Sequence, residues 1–358
     1  MSTQPPNHTQ PDFFGLPEPE VRVDVPARAK KPKPASASSN EKPLKVPPVA
    51  STPELLALGQ QLPAALHLGT SSWSYPGWNG LIYDGEFRTA QLAREGLLAY
   101  ANHPLMRTVS IDRTFYAPIA EADYARYALQ VPEGFRFLVK APMAITSTYL
   151  RSDTGEFSDS PYFLDVDYAI EAFVAPCING LGNKCGPLVF QCPPQGRATT
   201  VNPDPFINRL YRFLKALPQG TLYAVEVRDP EILTERFFKC LNTTGVRFCI
   251  ASHARMPTPD EQITRARSMD AGPFVVRWSL HSGFKYETAK AKYFPFNRLV
   301  DEDPASRESL ARECVRTLDA GFPVYVVINN KAEGSAPLSV EKLAQLIASL
   351  RANLQSGA

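Results

Sequence analysis

Residues 187–253 contain the stretches PLVFQCPP (187–194), PDPFINRLYRFLKAL (203–217), LYAVEVRD (222–229), LTERFFKCLN (233–242) and VRFCIASH (246–253). Short apolar, β-branched or aromatic runs alternate with longer stretches whose apolar residues recur at helical spacing. The alternation predicts strand, helix, strand, helix, strand. That is the unit of a parallel sheet, because parallel neighbours need a crossover between them. The same beat continues outward. Upstream strand candidates are Leu66–Trp73, Thr108–Tyr116 and Phe135–Pro142, and downstream ones are Pro273–Leu280 and Pro323–Asn330. The remaining helix candidates are Thr89–Asn102, Glu121–Gln130, Asp167–Leu181, Pro259–Arg267, Pro304–Ala320 and Ser339–Leu354. Thr234, Asp303 and Ser339 stand where helix N-caps are expected, and Gly220, Gly245 and Gly321 where C-terminal glycines are. Eight strands and eight helices over about 290 residues predict an α/β fold, a (β/α)8 TIM-type barrel. A doubly wound open sheet is the alternative, although it usually has fewer strands.

Ahead of the barrel the composition changes. Prolines recur in PEPE (17–20), KKPKP (30–34) and VPPV (46–49), separated by Ser, Ala and Lys. Such a stretch buries too little apolar surface to offset its ordering entropy. Residues 1–60 are therefore expected to be a disordered arm and residues 61–358 the barrel. The 44% hydrophobic and 21% charged content is that of a soluble globular chain, and a net charge of +2 argues against extended duplex binding. No apolar run reaches the roughly 18 residues of a membrane span, and the N-terminus lacks a secretory signal. The expectation is a cytoplasmic protein with no membrane partner. Six cysteines form no CxxC pair and read as buried free thiols.

In a barrel, side chains alternate between lumen and helical layer, and reactive groups gather where strands end. A charged residue within an apolar strand thus points to the lumen near the open end. On the first strand Ser71 and Trp73 share a face, with Tyr75 and Trp78 in the loop beyond. The second offers Ser110, Asp112 and Thr114, with Tyr116 beyond. Lys140 ends the third strand, and Gln191 leads out of the fourth. Glu226 and Arg228 share a face on the fifth, and His253 closes the sixth. Arg277 and Ser279 share a face on the seventh, with His281 after them, and Asn329 and Asn330 end the eighth. Isolated buried ions cost several kcal/mol, so Asp112, Lys140, Glu226 and Arg277 require either mutual pairing or a ligand. An ion-pair plug and a pocket for a small anion are both open. Two long loops favour the pocket, Ile145–Asp165 and His281–Asp303. The second carries Lys285, Tyr286, Lys290, Lys292, Tyr293, Phe294, Phe296 and Arg298, a mixture suited to a phosphate, sugar or nucleobase.

The leading chemistry is acid/base catalysis by Glu226, Lys140 and Asp112. Glu226 would take a proton while Lys140 and Arg277 stabilise the growing anion. Ser71, Trp73, Tyr75, Trp78, Thr114, Tyr116, Gln191, Arg228, Arg277, His281, Asn329 and Asn330 would bind substrate. Lys140 could instead form a Schiff base, and Cys192 with His281 is a conceivable nucleophilic pair. No GxGxxG or Walker A motif follows a strand, so no nucleotide cofactor is indicated and the cofactor is unknown. No HxH or HExxH pair supports a metal, and none is expected. The chain thus reads as an enzyme acting on a small anionic (phosphorylated or carboxylate) or sugar-like substrate. The alternative is a non-catalytic binding protein for a phosphorylated or single-stranded nucleic-acid ligand.

Several stretches also resemble a known family. Gly69-Thr70-Ser71-Ser72-Trp73-Ser74-Tyr75-Pro76-Gly77-Trp78 resembles the opening signature of the YecE-like family, an uncharacterised domain family. The likeness continues through Asp112–Tyr116, Phe135–Phe137, Val139–Pro142, Leu188–Pro194, Val225–Arg228 and Ile328–Asn330. It implies a TIM-type barrel without an established activity. Many relatives carry Glu-Ile-Asn-Ser-Thr-Phe-Tyr where this chain has Ser110-Ile111-Asp112-Arg113-Thr114-Phe115-Tyr116, so the acid stands two residues further on. Arg277 and His281 correspond to an Arg and a His that relatives place close together.

Overall fold

The apolar runs form strands in a computed structural model that describes residues 45–151, 156–281 and 283–356. In chain order these are β1 (Leu66–Thr70), β2 (Thr108–Ile111), β3 (Arg136–Lys140), β4 (Tyr149–Arg151), β5 (Phe157–Asp159), β6 (Cys185–Cys192), β7 (Tyr223–Val227), β8 (Arg247–Ser252), β9 (Phe274–Trp278) and β10 (Val324–Ile328). Eight of them close into a parallel barrel in the order β1-β10-β9-β8-β7-β6-β3-β2. β4 and β5 form a separate antiparallel hairpin within the loop after β3. The eight barrel strands are the eight expected from sequence, most of them shorter at their C-terminal ends. After β2, for instance, Asp112 leads into a tight turn over Arg113–Phe115, so Thr114 leaves the strand register.

Side-chain alternation divides each strand between two cores. Tyr223, Val225 and Val227 of β7, and Phe274, Val276 and Trp278 of β9, face the helices in the main apolar cluster. The alternate residues Leu138, Val189, Ala224, Cys249, Val275, Tyr325 and Val327 fill the lumen as a second cluster. Below it the His67 and Tyr325 rings stack at 4.8 Å. The lower lumen is therefore packed with side chains.

The helices follow their local chemistry. Thr234 accepts from the Phe237 amide and Asp303 from Ser306, each closing an N-terminus. Gly245 ends its helix in the left-handed region at φ 70°. The final helix begins earlier than expected, at Ala336 and not Ser339, because Asn330 Oδ1 accepts the Ala336 amide at 2.8 Å. Gly96 divides the helical stretch after β1 into Thr89–Glu95 and Leu97–Ala101. Pro176 has no N–H to offer residue 172, which fits the π-turn at Ile170–Val174. No helix among the described residues is long and apolar enough to cross a membrane.

Part of the stretch expected to be a disordered arm, residues 1–60, lies among the described residues and is ordered there. The first 44 residues lie outside the described ones, whereas Val46 is buried and Val49 donates to the Ile82 carbonyl. Pro53–Gln61 forms a helix, with Thr52 accepting the Leu55 amide. Arg107 clamps this lead-in by donating to the Gly59, Leu62 and Pro63 carbonyls. Proline misled the composition here: at the first turn of a helix it favours the fold.

Candidate functional site

Successive inward positions change character along the strands. Above Leu138, Ala224 and Val275 stand Lys140, Glu226 and Arg277, all almost fully buried. The register aligns Gln191 with Glu226 on neighbouring strands, and Arg277 with Val327. Arg277 Nη1 donates to Glu226 Oε2 at 2.8 Å and Nη2 to Asp112 Oδ2 at 3.0 Å. Gln191 Oε1 lies 3.5 Å from the same Nη1. Arg228 Nη2 pairs with the other oxygen of Glu226, close enough for an ion pair but off the line of a hydrogen bond. Ser110 Oγ donates to Asp112 Oδ1 at 2.5 Å. The Asp112 side chain is 21% exposed, which makes it the end of the chain nearest solvent.

Burial alone would raise the Glu226 carboxyl, but the Arg228 and Arg277 guanidiniums outweigh it and hold it below the usual carboxylate range. The Lys140 ammonium shows the reverse. Burial pushes it well below the ordinary lysine value and Arg277 adds to that, while Asp112 and Glu226 oppose. Its Nζ sits 3.4 Å from the centroid of the Phe115 ring. Lys140, Arg228 and Arg277 thus gather around Asp112 and Glu226. Arg228 Nη1 and Arg277 Nε are buried with no hydrogen-bond partner among the described residues.

Other expected site residues sort differently. Ser71 Oγ accepts from Asn329 Nδ2 at 2.7 Å, a pair linking the ends of β1 and β10. Trp73 packs edge-on against Tyr127 in the outer core. Trp78 is fully buried and donates its indole N–H to Asn330 Oδ1 at 3.1 Å, so Trp78 and Asn330 brace the loop. Thr114 donates to the Ile111 and Lys140 carbonyls and fixes the turn behind the lysine. Tyr116 is 55% exposed. The His281 ring stands against Phe284 and acts electrostatically on Asp301, within the loop after β9. Cys192 faces the outer core, where burial pushes its thiol up, so it and His281 form no nucleophilic pair. His253 lies within the field of Arg228, and burial holds its imidazole down at about 3. Among the described residues no three His, Cys, Asp or Glu side chains converge.

Both long loops leave the C-terminal ends of their strands, the end that carries this cluster. The one after β3 holds the β4–β5 hairpin, and the one after β9 holds a helix, Tyr286–Tyr293. Two buried residues were not singled out in the sequence: Phe115, under Lys140, and Lys331, whose Nζ lies 4.3 Å from the Tyr286 ring centroid. The aromatic content of both neighbourhoods was the available signal.

A barrel with this layout matches a family model described as "Protein of unknown function DUF72", over residues 67–357. The chain belongs to the DUF72 family. It is the same family as the YecE-like one that the strand motifs resemble. Two solved DUF72 proteins share the fold. One, from Enterococcus faecalis, is 15% identical with a TM-score of 0.54, covering 79% of this chain and 95% of its own. One from Thermotoga maritima is 18% identical with a TM-score of 0.54, covering 79% and 98%. No curated protein matches the chain.

Proposed function

We propose that this DUF72 barrel is an enzyme that binds a small carboxylate or phosphate at its mouth and moves a proton on it. The observation that carries the reading is a pair of buried guanidinium N–H groups, Nη1 of Arg228 and Nε of Arg277, that find no hydrogen-bond partner among the described residues. An apolar top to the lumen would cost the fold less, because buried ions are seldom favourable for stability alone.

The roles differ from the simplest assignment. Glu226 has both oxygens held by arginines and no exposure, so it orients the guanidiniums and is a poor proton acceptor. Lys140, lowered by burial, is the better general base, poised to take a proton beside the anionic group that Arg228 and Arg277 hold. Asp112 fixes Arg277 from the solvent side. The six free cysteines fit a reducing, cytoplasmic setting.

The test is a thermal-shift screen of small phosphorylated and carboxylated compounds, followed by NMR of each hit in D2O. Hits should exchange a carbon-bound proton with solvent in the presence of the wild type. Lys140→Met should abolish the exchange and Arg277→Gln the binding. Binding without exchange would favour the non-catalytic reading, and the absence of any hit would sink both.

A further inference from the structure

A cleft opens among the loops at the C-terminal ends of the strands. Its volume of about 780 Å³ lies in the range of small-molecule sites. Lys331, in the loop after β10, lines it. Lys331 is 2% exposed, and its Nζ makes no hydrogen bond or ion pair among the described residues. The ammonium instead lies 4.3 Å from the Tyr286 centroid and 5.9 Å from that of Phe296. Cation–π contacts offset only part of the desolvation of a buried ammonium, so an anion would complete its surroundings.

The rest of the cleft has matching chemistry. Arg88 and Lys290 add two cations to the lining, where Glu86 is the acid, and the Glu287 carboxylate acts on Lys331 from its helix. Three rings form a ladder along one wall: Tyr75 against Phe296 at 5.7 Å, and Phe296 against Phe294 at 6.1 Å, both edge-on. Phe294 is 74% exposed at the rim, and its free face offers a stacking surface. Burial is the main reason that the Lys331 ammonium falls to about 8, with Lys290 adding to it and Glu287 opposing, and no mouth residue contributes. The cleft therefore stands apart electrostatically from the Arg277 cluster, although Tyr75 borders both, since Asp112 acts on its hydroxyl.

We infer that this cleft is a binding subsite for a small anion carrying a planar ring, with the anionic group on Lys331 and the ring against Phe294 and Tyr75. The subsite does not depend on turnover at the mouth. It predicts that ring and charge are recognised together.

Isothermal titration of the full chain with adenosine 5′-monophosphate, uridine 5′-monophosphate, phenyl phosphate and benzoate tests it, with adenosine and inorganic phosphate as controls. At least one ring-bearing anion should bind about tenfold more tightly than either control. Lys331→Met should weaken that ligand about tenfold while the protein stays folded, because an apolar chain replaces a buried charge. Phe294→Ala, at an exposed position, should weaken it several-fold and leave phosphate unaffected. Arg277→Gln should leave it unchanged, which separates this subsite from the mouth. If no ring-bearing anion outbinds the controls, or if Lys331→Met binds like the wild type, the inference is overturned.

Discussion

The lower lumen and the mouth are built by the same strands, two residues apart, yet they hold opposite chemistry. Leu138, Ala224 and Val275 pack as an apolar plug, whereas Lys140, Glu226 and Arg277 immediately above them form a buried ion cluster. The plug removes apolar surface from water at about 25 cal/mol per Å² and requires no partner. The cluster carries a desolvation cost that apolar side chains in its place would not incur. One layer accounts for why the barrel closes. The other is poorly explained by stability, which is the argument for a ligand there.

Substitutions can break this contrast. The largest effect should come from Glu226→Ala, which leaves two buried guanidiniums short of a partner. It should cost about 3–5 kcal/mol in urea denaturation, and added phosphate should restore part of that. A loss below about 1 kcal/mol would mean that the ion pairs contribute little to the fold. Leu138→Ala, in the plug, should cost about 3 kcal/mol with little change in anion binding, since it removes no charged group.

Proton linkage sharpens the contrast at the bottom of the barrel. Burial holds the His67 imidazole down to about 4, with Arg136 adding to it. A depressed pKa means that the unfolded chain binds the proton more tightly, so the contribution is complete above about 6.5 and lost as pH falls toward 4. Between pH 7 and pH 5 this group alone should remove about 1–2 kcal/mol, and His67→Gln should flatten the slope of stability against pH. The smallest effect should be at the mouth. Phosphate at ten times its Kd should raise the Tm of the wild type by about 2–4 °C, and that of Arg277→Gln not at all.

The barrel was legible because parallel strands buried on both faces read as near-continuous apolar runs, as LYAV (222–225) and FVV (274–276) do. The ion cluster was legible for the same reason, since Lys140, Glu226 and Arg277 each interrupt such a run. What stayed hidden was non-local. Lys331 follows two asparagines and looks like an ordinary surface lysine; only the loop carrying Tyr286 and Phe296, closing over it, buries it. Trp78 looked like a binding aromatic, but its loop turns back into the core to meet Asn330.

The lead-in at residues 45–61 lies outside the family match, which begins at residue 67. Pro47 and Val49 bond to Asp84 and Ile82, in the loop that leaves the C-terminal end of β1. The segment that starts at Lys45 is therefore moored on the side of the barrel served by that loop. A chain trimmed to the family boundary would lose that mooring, together with the buried Val46 and the carbonyls that Arg107 grips.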